Sequence, residues 1–507
     1  MRTLLFWLLA GAVLAVAHTI QPLSASNHTT YLLHGLADAG VGYLSEDWLA
    51  QTPDMSPAFS VLVRGLHWIA GPYGIRAGFV GVVAAYVWAL FRIGAPGAGA
   101  IPGRASEWLV LGALVVMHAK LFDDALPREF GGEWARFFSW GFAGQYLLNR
   151  MFQPCLFGAA LLVGVVLIRR GRVKLGLASA VFASWMHPTY VLSAAALTLA
   201  VILEDIRQGR YRRGAVHGLV ALVLVAPVLI YVQSTFAGAD PELVARAQSL
   251  LVHDRIPHHA DPRSWFGPRM GLKLVLVVAV LYATRGTSFG RLLTVPTIVA
   301  VVGIVVVLLV HSDFLALLFP WRTSVFVVPA ASAFLLGRLT TRAGGRVNLS
   351  SWPVRAIGLA VVTACLVYGV VLMGRTHARS KRGPKATVWA QARAGATSGQ
   401  TWWIPLDWKG FRLATGLPAW VDWKSHPYDA PGIIEWNRRV ATSRELENGS
   451  LGCAEIARVA AEEAITRVVV EGGNASRLRC PAFRQMHSNA SFAVFERTVE
   501  RGAQDER

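Results

Sequence analysis

Three carboxylates lie in the stretch Tyr43–Asp54, YLSEDWLAQTPD: Glu46 and Asp47 side by side, then Asp54. They follow the first apolar run of the chain, and acidic groups beside a bilayer are costly and commonly functional. A general base needs one carboxylate within hydrogen-bond reach of the hydroxyl it deprotonates. On a helix, neighbouring side chains diverge by about 100°, so this pair does not share one proton. Either one acid acts while the other orients a partner or a metal, or both cap and solvate a loop helix with Ser45 as N-cap.

Other residues of useful chemistry lie further along. Asp123–Asp124 is a second acidic pair, and together with Glu46, Asp47 or His187 it offers the oxygen-rich ligands that a divalent cation takes. That cation is the candidate cofactor, and Asp123 and Asp124 are its candidate ligands. His187-Pro188-Thr189-Tyr190 stands at a turn where proline frees backbone groups and a histidine is placed to bind a ligand or metal, a helix-ending cap being the plainer alternative. Arg322, in Phe319-Pro320-Trp321-Arg322, follows another turn. A guanidinium keeps its charge, which makes Arg322 the leading phosphate ligand, or else a snorkelling residue at a span end. The cluster His253-Asp254-Arg255 with His258-His259-Ala260-Asp261 matches no zinc spacing. P-loop and H-E-x-x-H motifs are absent from the sequence, which argues against ATPase and zinc-protease chemistry.

The elements that position these groups are mostly apolar. Of 507 residues, 54% are hydrophobic and 16% charged, against about 25% charged in soluble domains. The fold class is therefore an α-helical polytopic membrane protein. Runs near 3–20, 73–91, 106–122, 153–168, 174–190, 189–204, 214–234, 270–284, 291–310, 315–337 and 355–374 give about eleven transmembrane helices. The net charge of +19 is spread over short loops between these runs, so no nucleic-acid partner is expected. With the N-terminus inside, alternate loops hold Arg92 and Arg104; Arg169, Arg170, Arg172 and Lys174; Arg207, Arg210, Arg212 and Arg213; Arg285 and Arg291; Arg338, Arg342 and Arg346. The opposite loops, 21–72, 123–152 and 235–269, are long and acidic, and the positive-inside rule puts them outside. In 123–152 the aromatics Phe130, Trp134, Phe137, Phe138 and Trp140 recur near helical spacing, as an interfacial helix or an aromatic belt requires.

Domain 1–374 is thus transmembrane, and 375–507 reads as an external soluble α/β domain. Short strands are expected at Trp402–Pro405 and Pro418–Trp423, helices at 431–440 and 453–463, and buried strands at 465–473 and 491–495. Cys453 and Cys480 are the only cysteines there and are expected to form a disulfide. Ala/Gly/Arg/Val-rich usage points to a bacterial inner membrane, multi-pass, with the C-terminal domain outside.

An acidic pair in the first long external loop, ahead of many spans and a folded tail, resembles the GT-C class of membrane glycosyltransferases. The chain also resembles a bacterial membrane protein family known only as a domain of unknown function, through Phe411-Arg412-Leu413, Val421-Asp422-Trp423-Lys424, Pro427 and Glu435-Trp436. The GT-C resemblance implies sugar transfer from a polyprenyl-phosphate donor at the outer membrane face, with Asp47 or Glu46 as catalytic base or metal ligand. Arg322, His187 and Asp54 would then bind substrate, and membrane lipid and the polyprenyl-phosphate sugar would be the partners. The alternatives are a transporter, disfavoured by nearly uncharged span centres, and an anchored envelope binding or assembly protein whose Trp402, Trp403, Trp408, Trp420, Trp423 and Trp436 stack on sugar or fill a core.

Overall fold

The computed structural model describes residues 1–125, 136–344 and 346–498. Each of the eleven apolar runs falls on a helix: α1 (Arg2–His18), α2 (Pro57–Gly94), α3 (Ala105–His118), α4 (Ala159–Arg169), α5 (Val173–Met186), α6 (Val191–Arg207), α7 (Tyr211–Phe236), α8 (Pro268–Ala283), α9 (Ser288–Val310), α10 (Ser324–Gly344) and α11 (Trp352–Ser380). Among the described residues six helical stretches are long and apolar enough to cross a membrane: Pro57–Gly94, Pro188–Arg207, Tyr211–Phe236, Ser288–Val310, Asp313–Gly344 and Trp352–Ser380. Protein buries only 17% of the apolar window of α7 and 11% of that of α11. Helices apolar on their outward sides are what a lipid solvent selects.

The chain divides into two compact units, one of Met1–Ile20, Met55–Phe59 and Tyr73–Gly374, the other of Gln21–Asp54, Ser60–Pro72 and Arg375–Arg507. Most of loop 21–72 lies in the unit that holds residues 375–507. Helix α2 changes unit at a break where Ala70 (φ −149°) and Gly71 (φ 55°) leave helical geometry ahead of Pro72. Gly71 is in a left-handed conformation open to glycine without a Cβ penalty, and Pro72 cannot supply the helical N–H donor.

Helices in the first unit approach closely through small residues, as membrane helices do. Gly337 of α10 packs on α2 so tightly that a Cβ there would overlap the carbonyl oxygen of Gly94. The aromatics of loop 123–152, read as an interfacial helix or an aromatic belt, form no helix where they are described. Phe130 and Trp134, like Glu129 and Glu133, lie outside the described residues, and Arg136–Ser139 form a turn rather than helix, followed by a bridge from Trp140 to Tyr146.

The second unit holds a four-stranded sheet in the order β1-β2-β4-β3, with β1 (Trp402–Trp403), β2 (Arg467–Glu471), β3 (Phe483–Ser488) and β4 (Phe492–Arg497). Strand β1 runs parallel to β2; the other pairs are antiparallel. Period-two alternation sends Val468 and Val470 to one face and Val469 to the other. The first face is covered by Trp436 and Val440 of α13 (Ala430–Glu447) and Ile456 and Val459 of α14 (Cys453–Glu462); the second by Val388 and Ala392 of α12 (Pro384–Ala394) with Trp408 and Phe411. Segment 418–423, expected as a strand, contributes only an isolated bridge from Ala419 to Trp402. Strand β3 went unread because its FRQMHS sequence is mostly exposed, the polar pattern of an edge strand. Cys453 and Cys480 form the expected disulfide, 27 residues apart in sequence.

Candidate functional site

In the first unit, two proline-broken turns bring Arg322 and His187 together. Helix α5 stops at Met186 because Pro188 disfavours helical geometry in the residue before it. His187 is extended (φ −150°, ψ 104°), and Pro188–Tyr190 make a single 3-10 turn before α6. Between α9 and α10, Phe319 is left-handed (φ 48°) and Pro320–Thr323 make another such turn. Its residues are pinned on both sides of Arg322. Trp321, fully buried, donates its indole N–H to the His259 carbonyl at 2.9 Å, and the Thr323 hydroxyl donates to the Pro296 carbonyl at 2.6 Å.

Arg322 Nη1 lies 3.1 Å from His187 Nε2 and also donates to the Thr189 hydroxyl. The guanidinium stands 5.0 Å over the Phe319 ring and 5.9 Å over that of Tyr190. Among the described residues no carboxylate is within ion-pair distance of it, and the groups that touch it, His187, Thr189, Phe319 and Tyr190, carry no negative charge. A half-buried cation that no described residue neutralises is costly unless an anion comes to it.

The expected metal pair is otherwise engaged. Lys120 bonds both Asp123, at 3.2 Å, and Asp124, while Arg136 reaches Asp123 and the Tyr368 hydroxyl donates to Asp124 at 2.7 Å. Two carboxylates shared with an ammonium are a poor donor set for a divalent cation, and no group of three His, Cys, Asp or Glu among the described residues is placed to hold a metal. His253, from the histidine-rich loop, contacts Asp313 at 3.1 Å.

The acids of the first loop belong to the second unit. Asp47 is fully buried: its Oδ1 accepts the Leu49 N–H at 2.9 Å, and its Oδ2 accepts Arg412 Nε at 2.6 Å and the Ala419 N–H at 2.8 Å. Arg412 also bonds Asp422, whose Oδ1 accepts the N–H groups of Lys424 and Ser425 at 2.7 and 2.8 Å. Burial would lower the Arg412 pKa, but the two flanking carboxylates raise it above its ordinary value. Burial pushes Asp422 up, and Arg412 with the two N–H groups offsets this only in part. Glu46 remains half-buried, its carboxylate accepting the Ser398 hydroxyl at 2.7 Å and the Gly399 N–H at 2.8 Å. Ser45 caps no helix; Leu44–Glu46 is one 3-10 turn starting after Tyr43. Asp54 is half-buried.

Sequence reasoning found Arg322 and His187 through their proline-containing turns, but gave no role to Thr189, and it missed that Arg412 and Asp422 enclose Asp47. Five of the six tail tryptophans, Trp402, Trp403, Trp408, Trp420 and Trp436, are core residues. Only Trp423 is partly exposed, stacked under Arg444 at 4.7 Å, so the sugar-stacking surface is not formed by this set.

Residues 385–443 match the model of a domain of unknown function, DUF6798. The tail residues that carried the second resemblance all lie within that match. No curated protein matches the chain. Among solved structures it is similar to ArnT from Cupriavidus metallidurans bound to undecaprenyl phosphate, at 12% identity and a TM-score of 0.44 over 98% of each chain. A likeness of that degree carries no argument about activity.

Proposed function

We propose that this protein is a membrane glycosyltransferase that takes its sugar from a polyprenyl-phosphate donor at the outer face, with the phosphate bound at Arg322. The observation that carries the reading is the guanidinium held by His187 and Thr189 with, among the described residues, no carboxylate beside it. In such a transfer the acceptor oxygen bonds to the anomeric carbon as the bond from that carbon to the phosphate oxygen breaks. Negative charge then grows on the leaving lipid phosphate, and a fixed cation stabilises that charge more than the ground state. The acceptor proton goes to a carboxylate base. Every oxygen of Asp47 is enclosed, which makes Asp47 a positioning residue.

The experiment is binding and transfer measured separately on the full-length protein in nanodiscs, with undecaprenyl phosphate as the binding probe. Arg322→Gln should abolish retention of the lipid phosphate and, with it, sugar transfer. Undecaprenyl phosphate held no better than undecaprenol, or held equally by Arg322→Gln, would overturn the proposal. The orientation is tested by reporter fusions after Arg172 and after Arg375, expected to report inside and outside respectively; an internal tail would sink the outer-face assignment.

A further inference from the structure

Helix α5 spans about 21 Å at 1.5 Å per residue, and the end opposite His187 carries a feature that the transfer reaction does not use. There the amino ends of α5 and α7 border an open cleft of about 890 Å³, lined by Arg172, Lys174, Arg210, Arg212 and Arg213. Among the described residues no carboxylate lines it. Beneath it, Asp205 pairs with Arg210 at 2.8 Å, reaches Arg213 at 4.0 Å and accepts from His217 Nδ1 at 2.7 Å. That single acid orients Arg210 and leaves the remaining charge uncompensated: among the described residues Arg172, Lys174 and Arg212 have no ion-pair partner.

We propose that this cleft binds the headgroup of an anionic phospholipid. Phosphate is the chemistry that several convergent arginines recognise, through bidentate charge-assisted hydrogen bonds. The lipid source is favoured by the rim. Leu175 and Tyr211 line the cleft and are 58% and 68% exposed, and on α7 the side chains of Leu219, Leu222 and Val223 continue outward at 60%, 58% and 61% exposure. Acyl chains of a lipid seated by its phosphate would lie along that apolar surface, whereas a soluble anion has no use for it. Basic pockets between membrane helices are a recurrent form of such sites.

Orientation by basic loops alone requires the charges but neither the cleft nor selectivity among lipids. The test therefore uses native mass spectrometry of the full-length protein, given equal amounts of cardiolipin, phosphatidylglycerol and phosphatidylcholine. Cardiolipin and phosphatidylglycerol should be retained over phosphatidylcholine, and Arg212→Gln/Arg213→Gln should weaken that retention on the order of tenfold. Arg172→Gln/Lys174→Gln is the second variant, so that failure of one pair to insert leaves the other readable. Equal retention of phosphatidylcholine, or wild-type retention in an inserted pair variant, would overturn the proposal. Displacement of the lipids by inorganic phosphate alone would overturn the lipid as its occupant.

Discussion

Arg322 Nη1 and His187 Nε2 are 3.1 Å apart although 135 residues separate them in the chain. A guanidinium only donates, so Nε2 is the ring nitrogen without a proton, and His187 holds Arg322 as a neutral acceptor. The cation is thus aimed without being neutralised.

Arg322→Lys tests whether that aim matters. Lysine keeps the charge but loses the planar fork that reaches His187 and Thr189 together. Retention of undecaprenyl phosphate should fall clearly below wild type while remaining above that of Arg322→Gln. Equal binding by arginine and lysine would show that charge alone suffices.

Asp47→Asn should destabilise the protein rather than merely slow it. Removing one member of a buried ion pair costs about 3–5 kcal/mol, and both Asp47 and Arg412 are essentially unexposed. Thermal unfolding of the full chain, followed by proteolysis of the tail, is the measurement. An unfolding curve matching wild type would mean that Arg412 does not depend on Asp47.

Burial of Glu435 raises its pKa, but the hydrogen bonds from Arg438 and Arg439, each at 2.6 Å, outweigh that and hold it below the ordinary carboxylate value. The native carboxylate therefore takes up a proton less readily than the unfolded one. Its contribution to stability is complete above an unfolded pKa of about 4.3 and is lost as pH falls through the lower folded value. Glu435→Gln should flatten the acid limb of the stability curve over that window. A variant with the wild-type acid limb would remove the assignment.

Gly337→Val should prevent α2 and α10 from packing, since even a Cβ overlaps the Gly94 carbonyl, whereas Gly358→Val meets nothing within 4 Å. Yield of monodisperse protein in detergent separates them. Comparable behaviour of the two variants would argue that the Gly94–Gly337 contact is dispensable.

The long apolar runs were legible because hydropathy and length decide a membrane helix almost by themselves, and the breaks at Pro188 and Pro320 marked where Arg322 and His187 sit. The tail sheet was legible in Val468–Val470, whose β-branched run fits a buried strand. The meeting of Asp47 with Arg412 was not, because nothing local to YLSEDW announces a partner far away in sequence. The same holds for the tryptophans: an indole that fills a core and one that stacks on a sugar read alike until burial is known.

The 365 residues between Asp47 and Arg412 also set an order of events during synthesis. At about 5–20 residues per second, the arginine is made roughly 20–70 s after the aspartate. Through that interval Asp47, buried in the finished molecule, awaits the arginine that pairs with it. A chain that stops before residue 412 lacks the cation that pairs with Asp47. The Asp47–Arg412 pair therefore forms only after translation has reached the tail.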